Sequence, residues 1–211
     1  MNLLIIDYGM GNICSIVNAI KHVSDINVAV SNNYKDIMKA DCFILPGVGA
    51  FRDAIHNLEE QNYIDSLKKE INDNKKPILG ICLGMQLLFS KSFEGGEHKG
   101  LNFIDGEVVL MEPGKGYRIP HVGWNNLKIK ENSMFSGLDS SIDLDFYFVH
   151  SYYANTSDQY ITSTFEYGKE FTASVRKNNI WGTQFHPEKS QKNGMHLLRN
   201  FISFCKENSR C

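Results

Sequence analysis

The sequence has no apolar run long enough to cross a bilayer, no block of like charge, no Cys-x-x-Cys pair and no internal repeat. Each absence excludes a class. Without about 20 consecutive apolar residues a membrane-spanning helix is not expected, and the opening Met-Asn-Leu-Leu-Ile-Ile-Asp meets a charge too soon for a leader segment. A formal net charge of -2 gives no electrostatic grip on nucleic acid or on an anionic membrane. Five cysteines, Cys14, Cys42, Cys82, Cys205 and Cys211, are odd in number and widely spaced, which points to reduced thiols in a cytoplasmic protein rather than a disulfide framework or zinc knuckle. A dinucleotide fingerprint is also missing: Gly9 and Gly11 follow an apolar run, but no third glycine completes the pattern.

What is present suffices for a core. A chain of 211 residues that is 42% hydrophobic can bury one sizeable α/β domain, and a single domain over 1–211 is the expectation. Its first half alternates buried strands with helical patterns. Continuous apolar runs at 2–6, 27–30, 42–45 and 77–82 read as parallel strands, with helical spacing at Ile13, Ile16, Val17 and Ile20, a polar helix near 34–39, and helices over 53–72. The second half reads mostly as short strands, over 103–111, 125–129, 146–153, 161–165, 172–176 and 180–184. A last helix carries Met195, Leu198, Phe201, Ile202 and Cys205 on one apolar stripe. The fold class expected is α/β: an open, mostly parallel, flavodoxin-like sheet with helices on both faces and an antiparallel β extension.

Chemistry concentrates at the end of the fourth strand. In Pro-Ile-Leu-Gly-Ile-Cys-Leu-Gly-Met-Gln-Leu-Leu-Phe, from Pro77 to Phe89, the apolar run stops at Cys82 and resumes with helical spacing. Gly80 and Gly84 stand two residues to either side of Cys82, the cysteine version of the nucleophile elbow Gly-x-Ser-x-Gly. A thiol there meets a helix N-terminus, whose free N–H groups and macrodipole favour thiolate and can hold an oxyanion. The bland alternative is a small buried cysteine. The loop Pro46-Gly47-Val48-Gly49-Ala50-Phe51, after the third strand, can turn peptide N–H groups to a ligand or serve as an ordinary turn. Far downstream, His186-Pro187-Glu188 sets an imidazole and a carboxylate two residues apart, as a general base and its orienting group or as a surface turn. His98 in its glycine-rich loop, and His22, His56 and His196 on helices, are expected to face solvent; His121 and His150 are expected to be packed or hydrogen-bonded, and no metal site or cofactor is expected.

Gly-Ile-Cys-Leu-Gly-Met-Gln at 80–86 with Gln-Phe-His-Pro-Glu at 184–188 resembles the class I, or triad, glutamine amidotransferases. More narrowly, Ile-Asp-Tyr-Gly-Met-Gly-Asn at 6–12, the Pro-Gly-Val-Gly-Ala-Phe loop, Pro-His-Val-Gly-Trp-Asn at 120–125, Phe-Val-His-Ser-Tyr at 148–152 and His-Pro-Glu-Lys-Ser at 186–190 resemble the glutaminase subunits of imidazole glycerol phosphate synthase, in order from end to end. The resemblance implies a catalytic triad of Cys82, His186 and Glu188, an oxyanion hole from Val48, Gly49 and Leu83, and a glutamine grip from Gln86, Ser151 and Tyr152. It implies as partner a cyclase (βα)8 barrel that receives the ammonia, met through Asn12, Val122, Trp124, Tyr147 and Lys189. Val122 stands where methionine is frequent in the family. A paralogue feeding ammonia to a sugar amidotransferase would carry the same triad, and a scaffold subunit that merely kept the fold would not need it.

Overall fold

The apolar runs of the first half pair side by side. β1 (Asn2–Ile6) is followed by α1 (Ile13–Val23), β2 (Asn27–Ser31), a 3-10 turn over Tyr34–Lys39, and β3 (Cys42–Leu45). Then come α2 (Phe51–Glu60), α3 (Tyr63–Lys68), which widens into a π turn over Lys69–Asp73, β4 (Ile78–Ile81) and α4 (Leu83–Leu87). The computed structural model describes residues 1–138 and 144–208. Cys211 lies outside them.

The second half is β-rich. It contains β5 (Phe89–Ser92), β6 (His98–Lys99), β7 (Ile104–Leu110), β8 (His121–Ile129), β9 (Asp145–His150), β10 (Tyr152–Thr156), β11 (Ile161–Tyr167), β12 (Lys169–Lys177), β13 (Ile180–Thr183) and the closing helix α5 (Gln191–Asn208). One nine-stranded sheet runs β2-β1-β3-β4-β13-β12-β11-β8-β9. From β2 to β13 every pairing is parallel, and from β13 to β9 every pairing is antiparallel. The antiparallel extension therefore continues the same sheet.

Alternation along the parallel strands divides the interior. Leu3, Ile5, Ile44, Leu79 and Ile81 face one core with α1 and α5, while Leu4, Ile6, Phe43, Leu45 and Ile78 face the other with α2 and α3. Both faces are covered, which is why these strands read as unbroken apolar runs. Each fully buried Leu or Ile contributes roughly 1.5–3 kcal/mol.

Three expectations need correction. The run from Pro77 to Phe89 does not stay helical: α4 ends at Leu87 and Phe89 opens β5. The polar helix expected at 34–39 is there, but it winds as a 3-10 helix and not an α-helix. The single strand expected over 146–153 breaks at Ser151, with β9 on the large sheet and β10 on a second, four-stranded sheet ordered β10-β7-β5-β6. A strand that changes sheets keeps its apolar alternation on both sides of the break, so the pattern alone does not reveal it. The chain crosses between sheets beside the functional cavity.

Candidate active site

At the end of β4, Cys82 takes φ 55° and ψ -111°, a left-handed backbone that a side chain rarely adopts. The glycines around it permit the close packing that imposes this corner. A Cβ on Gly80 would lie 2.6 Å from the Gly84 carbonyl oxygen, one on Gly84 would lie 1.8 Å from that of Leu45, and one on Gly47 would lie 2.6 Å from the Gly84 nitrogen. The elbow thus rests directly on the exit of β3. The Cys82 N–H donates to the Thr183 carbonyl at 2.7 Å, which ties the corner to the last residue of β13. Because α4 spans only Leu83–Leu87, the dipole behind the thiol is that of little more than one turn. Stabilisation of a thiolate falls chiefly to nearby side chains.

Those side chains arrive from β13. It pairs with β4 in parallel, Gly182 opposite Gly80 and Thr183 opposite Ile81, so the residues after Thr183 emerge next to Cys82. Extended alternation sends Gln184 and His186 to one side and Phe185 to the other, where its ring lies 4.3 Å from that of Phe146. Pro187 opens a 3-10 turn over Pro187–Lys189 that folds Glu188 back on its neighbour. His186 Nδ1 lies 2.8 Å from Glu188 Oε1, with the two side chains 3% and 1% exposed. A carboxylate can only accept, so it holds the proton on Nδ1 and turns Nε2 toward the thiol. Nε2 itself has no hydrogen bond of ordinary geometry. Burial is the largest influence on His186 and disfavours its charge, but Cys82 and then Glu188 together outweigh it and raise the imidazole from 6.5 to about 9. The imidazole is thus buried between Glu188 and Cys82, a setting that favours its protonated form.

A cavity of about 380 Å³ opens over Cys82 and His186. Val48, Gly49, Leu83, Gln86, Ser151 and Tyr152 all line it, so the structure brings together every residue expected for the oxyanion hole and the glutamine grip. It adds Glu94, Pro120, Val149 and His150. Glu94 escaped the sequence reading because it follows β5, a short strand of mixed polarity that carries no periodic signal. Its Oε2 accepts from the Phe51 N–H at 2.9 Å, joining the 94–97 loop to the end of the 46–51 loop. At the other end, Tyr8 donates its hydroxyl to the Pro46 carbonyl at 2.7 Å, and burial keeps that phenol protonated by raising its pKa. Between these anchors Val48 is exposed and Gly49 takes φ +98°. Gln86 uses its side-chain nitrogen internally, donating to Tyr152 O at 2.9 Å and Gln184 Oε1 at 3.1 Å. Only its oxygen is left for a ligand.

His121 and His150 are buried on adjacent strands, 3.4 Å apart through Nδ1 and Nε2, and His150 Nδ1 donates to Tyr152 O at 2.8 Å. Burial lowers them to about 4 and about 3. His22 and His56 are exposed as expected, but His196 is half-buried against the Ser136 carbonyl, and His98 buries Nε2 without a partner. Four of the residues expected at a partner interface form one patch. Val122 and Trp124 are 56% and 47% exposed, which excludes a core role for either. Trp124 lies across from Tyr147 with ring centroids 5.9 Å apart, and Lys189 Nζ sits 5.8 Å over the Tyr147 ring. Asn12 stands at the head of α1, which it caps with its backbone.

The family model for glutamine amidotransferase class-I matches residues 4–204. The chain is 54% identical over 207 residues to imidazole glycerol phosphate synthase subunit HisH 2 of Vibrio vulnificus, covering 98% of this chain and 96% of that one. It is 48% identical over 204 residues to the HisH subunit of Aquifex aeolicus, covering 95% and 96%, and 47% identical over 201 residues to HisH 1 of Campylobacter jejuni, covering 95% and 98%. Among solved structures, PurLQS from Thermotoga maritima superposes with a TM-score of 0.75 at 16% identity over 96% of this chain and 98% of that one. The glutaminase domain of Trypanosoma brucei CTPS, with bound acivicin, gives 0.70 at 15% identity over 98% and 94%. At such identities these two speak for the fold alone.

Proposed function

The chain belongs to the class-I glutamine amidotransferase family, as a glutaminase subunit of imidazole glycerol phosphate synthase in histidine biosynthesis, and we propose that it works through Cys82, His186 and Glu188 and delivers ammonia to a cyclase (βα)8 barrel. The observation that carries the residue assignment is the convergence on one cavity of the elbow thiol and of His186, whose Nδ1 is held by Glu188 from behind.

Thiol and imidazole form an ion pair, and the Cys82 sulfur attacks the side-chain amide carbon of glutamine. The tetrahedral oxyanion accepts from the N–H groups of Leu83 and of the Val48–Gly49 segment, donors of a kind worth roughly 3 kcal/mol each. His186 gives its Nε2 proton to the departing nitrogen, so ammonia leaves and a glutamyl thioester remains. Water, deprotonated by His186, then releases glutamate and restores the thiol. Glu188 keeps the imidazole oriented through both steps. Glu94 offers a carboxylate to the substrate ammonium, Gln86 its oxygen to a substrate N–H, and the Ser151–Tyr152 segment donors to the substrate carboxylate. Loop 46–51, tied at both ends and free at Val48, is the segment whose rearrangement completes the oxyanion hole when the partner binds its own substrate.

The Val122–Trp124–Tyr147–Lys189 patch, with Asn12, is the docking face for the barrel. The chain acts as one amidotransferase domain in the cytoplasm. Glutamate release by the purified chain, alone and with the cyclase plus its ribotide substrate, tests the reading: stimulation by orders of magnitude is expected, and full activity of the isolated chain would remove the loop switch. Several relatives bear copy numbers in their names, and a duplicated subunit serving another synthase is the second reading. Glutaminase that appears only beside a different ammonia-consuming enzyme would select it.

A further inference from the structure

Gln184 is fully buried, and its Nε2 lies 3.8 Å from the Cys82 sulfur, within reach of an N–H···S hydrogen bond. Its orientation is fixed from a distance. The Tyr152 carbonyl can only accept, so Gln86 must turn its NH₂ toward it; the second N–H of that group then meets Gln184 at 3.1 Å, which obliges Gln184 to present oxygen there and NH₂ to the sulfur. The sulfur also meets the Val149 carbonyl, at 3.8 Å. A thiol can donate to that carbonyl, but a thiolate is repelled by it. The Gln184 amide has the opposite preference, and burial strengthens it.

We propose that Gln184 is a further catalytic residue, which donates to the Cys82 thiolate and fixes the sulfur for attack. The role rests on the glutaminase reading above, because attack by this sulfur is the step it serves. As the proton leaves Cys82 for Nε2 of His186, the sulfur exchanges Val149 as acceptor for Gln184 as donor. The donor cannot take the proton back, which distinguishes it from a second base.

The test is the pH dependence of Cys82 alkylation by iodoacetamide, read on the Cys82 peptide by mass spectrometry because Cys14 is exposed and would react too, together with glutamate release in the complex with the cyclase. Gln184→Met keeps the bulk and removes the donor; the alkylation midpoint is expected to rise by about one pH unit and kcat to fall about 10-fold with little change in KM. Gln184→Glu can still accept from Gln86 but turns an oxygen to the sulfur, so its shift is expected to be larger, and it decides the matter if Gln184→Met does not fold. Profiles and kcat that superpose on the wild type in the folded variants overturn the proposal. If the wild-type complex releases no glutamate while the alkylation midpoint still shifts, the glutaminase reading fails and the donor role of Gln184 stands.

Discussion

His186 leaves β13 beside a carboxylate and a thiol, whereas His121 and His150 face one another across β8 and β9 with aromatic rings around them. All three side chains are buried, yet the first is raised to about 9 and the other two are lowered to about 4 and about 3. Burial alone pushes each toward the neutral form, so the sign is decided by what burial is shared with. Glu188 and Cys82 make a proton welcome at His186. A second imidazole and the Tyr152 carbonyl offer His150 only neutral bonds, which need one N–H donor and one lone pair on each ring. The pair can therefore serve as uncharged scaffolding for the segment that changes sheets, while His186 holds a proton.

The consequences for stability have opposite signs. A histidine raised above 6.5 binds its proton more tightly when folded, so the contribution of His186 is present below pH 6.5 and is lost as pH rises through about 9. For His121 and His150 the unfolded chain binds the extra protons, so stability is lost as pH falls from 6.5 toward about 4.

Replacing Cys82 with alanine should have the largest effect. Glutamate release is expected to drop at least about 1000-fold, and the His186 titration followed by NMR should fall from near 9 toward 6.5; a titration that stayed near 9 would show that the thiol does not set it. Glu188→Gln keeps an acceptor for Nδ1 but removes the charge. Its kcat is expected to fall about 100-fold, and the alkaline limb of kcat/KM, expected to follow the raised His186 in the wild type, should move to lower pH. Smaller still is the effect of His121→Phe, which preserves the stack on Phe165. The pH dependence of the urea midpoint should show proton uptake on unfolding near pH 5 reduced by about one. An unchanged acid slope would mean that His121 titrates normally.

How much of this was legible in the sequence follows the same division. The parallel strands β1, β3 and β4 declared themselves because both of their faces are covered, and the elbow declared itself because Gly80 and Gly84 meet backbone atoms that exclude any side chain. His186 and Glu188 stood out by their spacing around Pro187. The small sheet did not stand out: β5 and β6 have four and two residues of mixed polarity, and the break at Ser151 leaves the surrounding apolar pattern intact. For that reason Glu94 was missed. The polarity of the Gln86–Gln184 pair was invisible for another reason, since it depends on a carbonyl 66 residues away from Gln86.

The claim on which the rest depends is that Cys82 is the nucleophile toward glutamine. It is tested most directly by treating the complex with the cyclase and its ribotide with 6-diazo-5-oxonorleucine, a glutamine analogue that alkylates an attacking thiol, and mapping the adduct by mass spectrometry. One adduct per chain, on Cys82 and prevented by excess glutamine, is the predicted result. Labelling of Cys14 alone, or labelling of Cys82 that glutamine does not slow, would contradict the account.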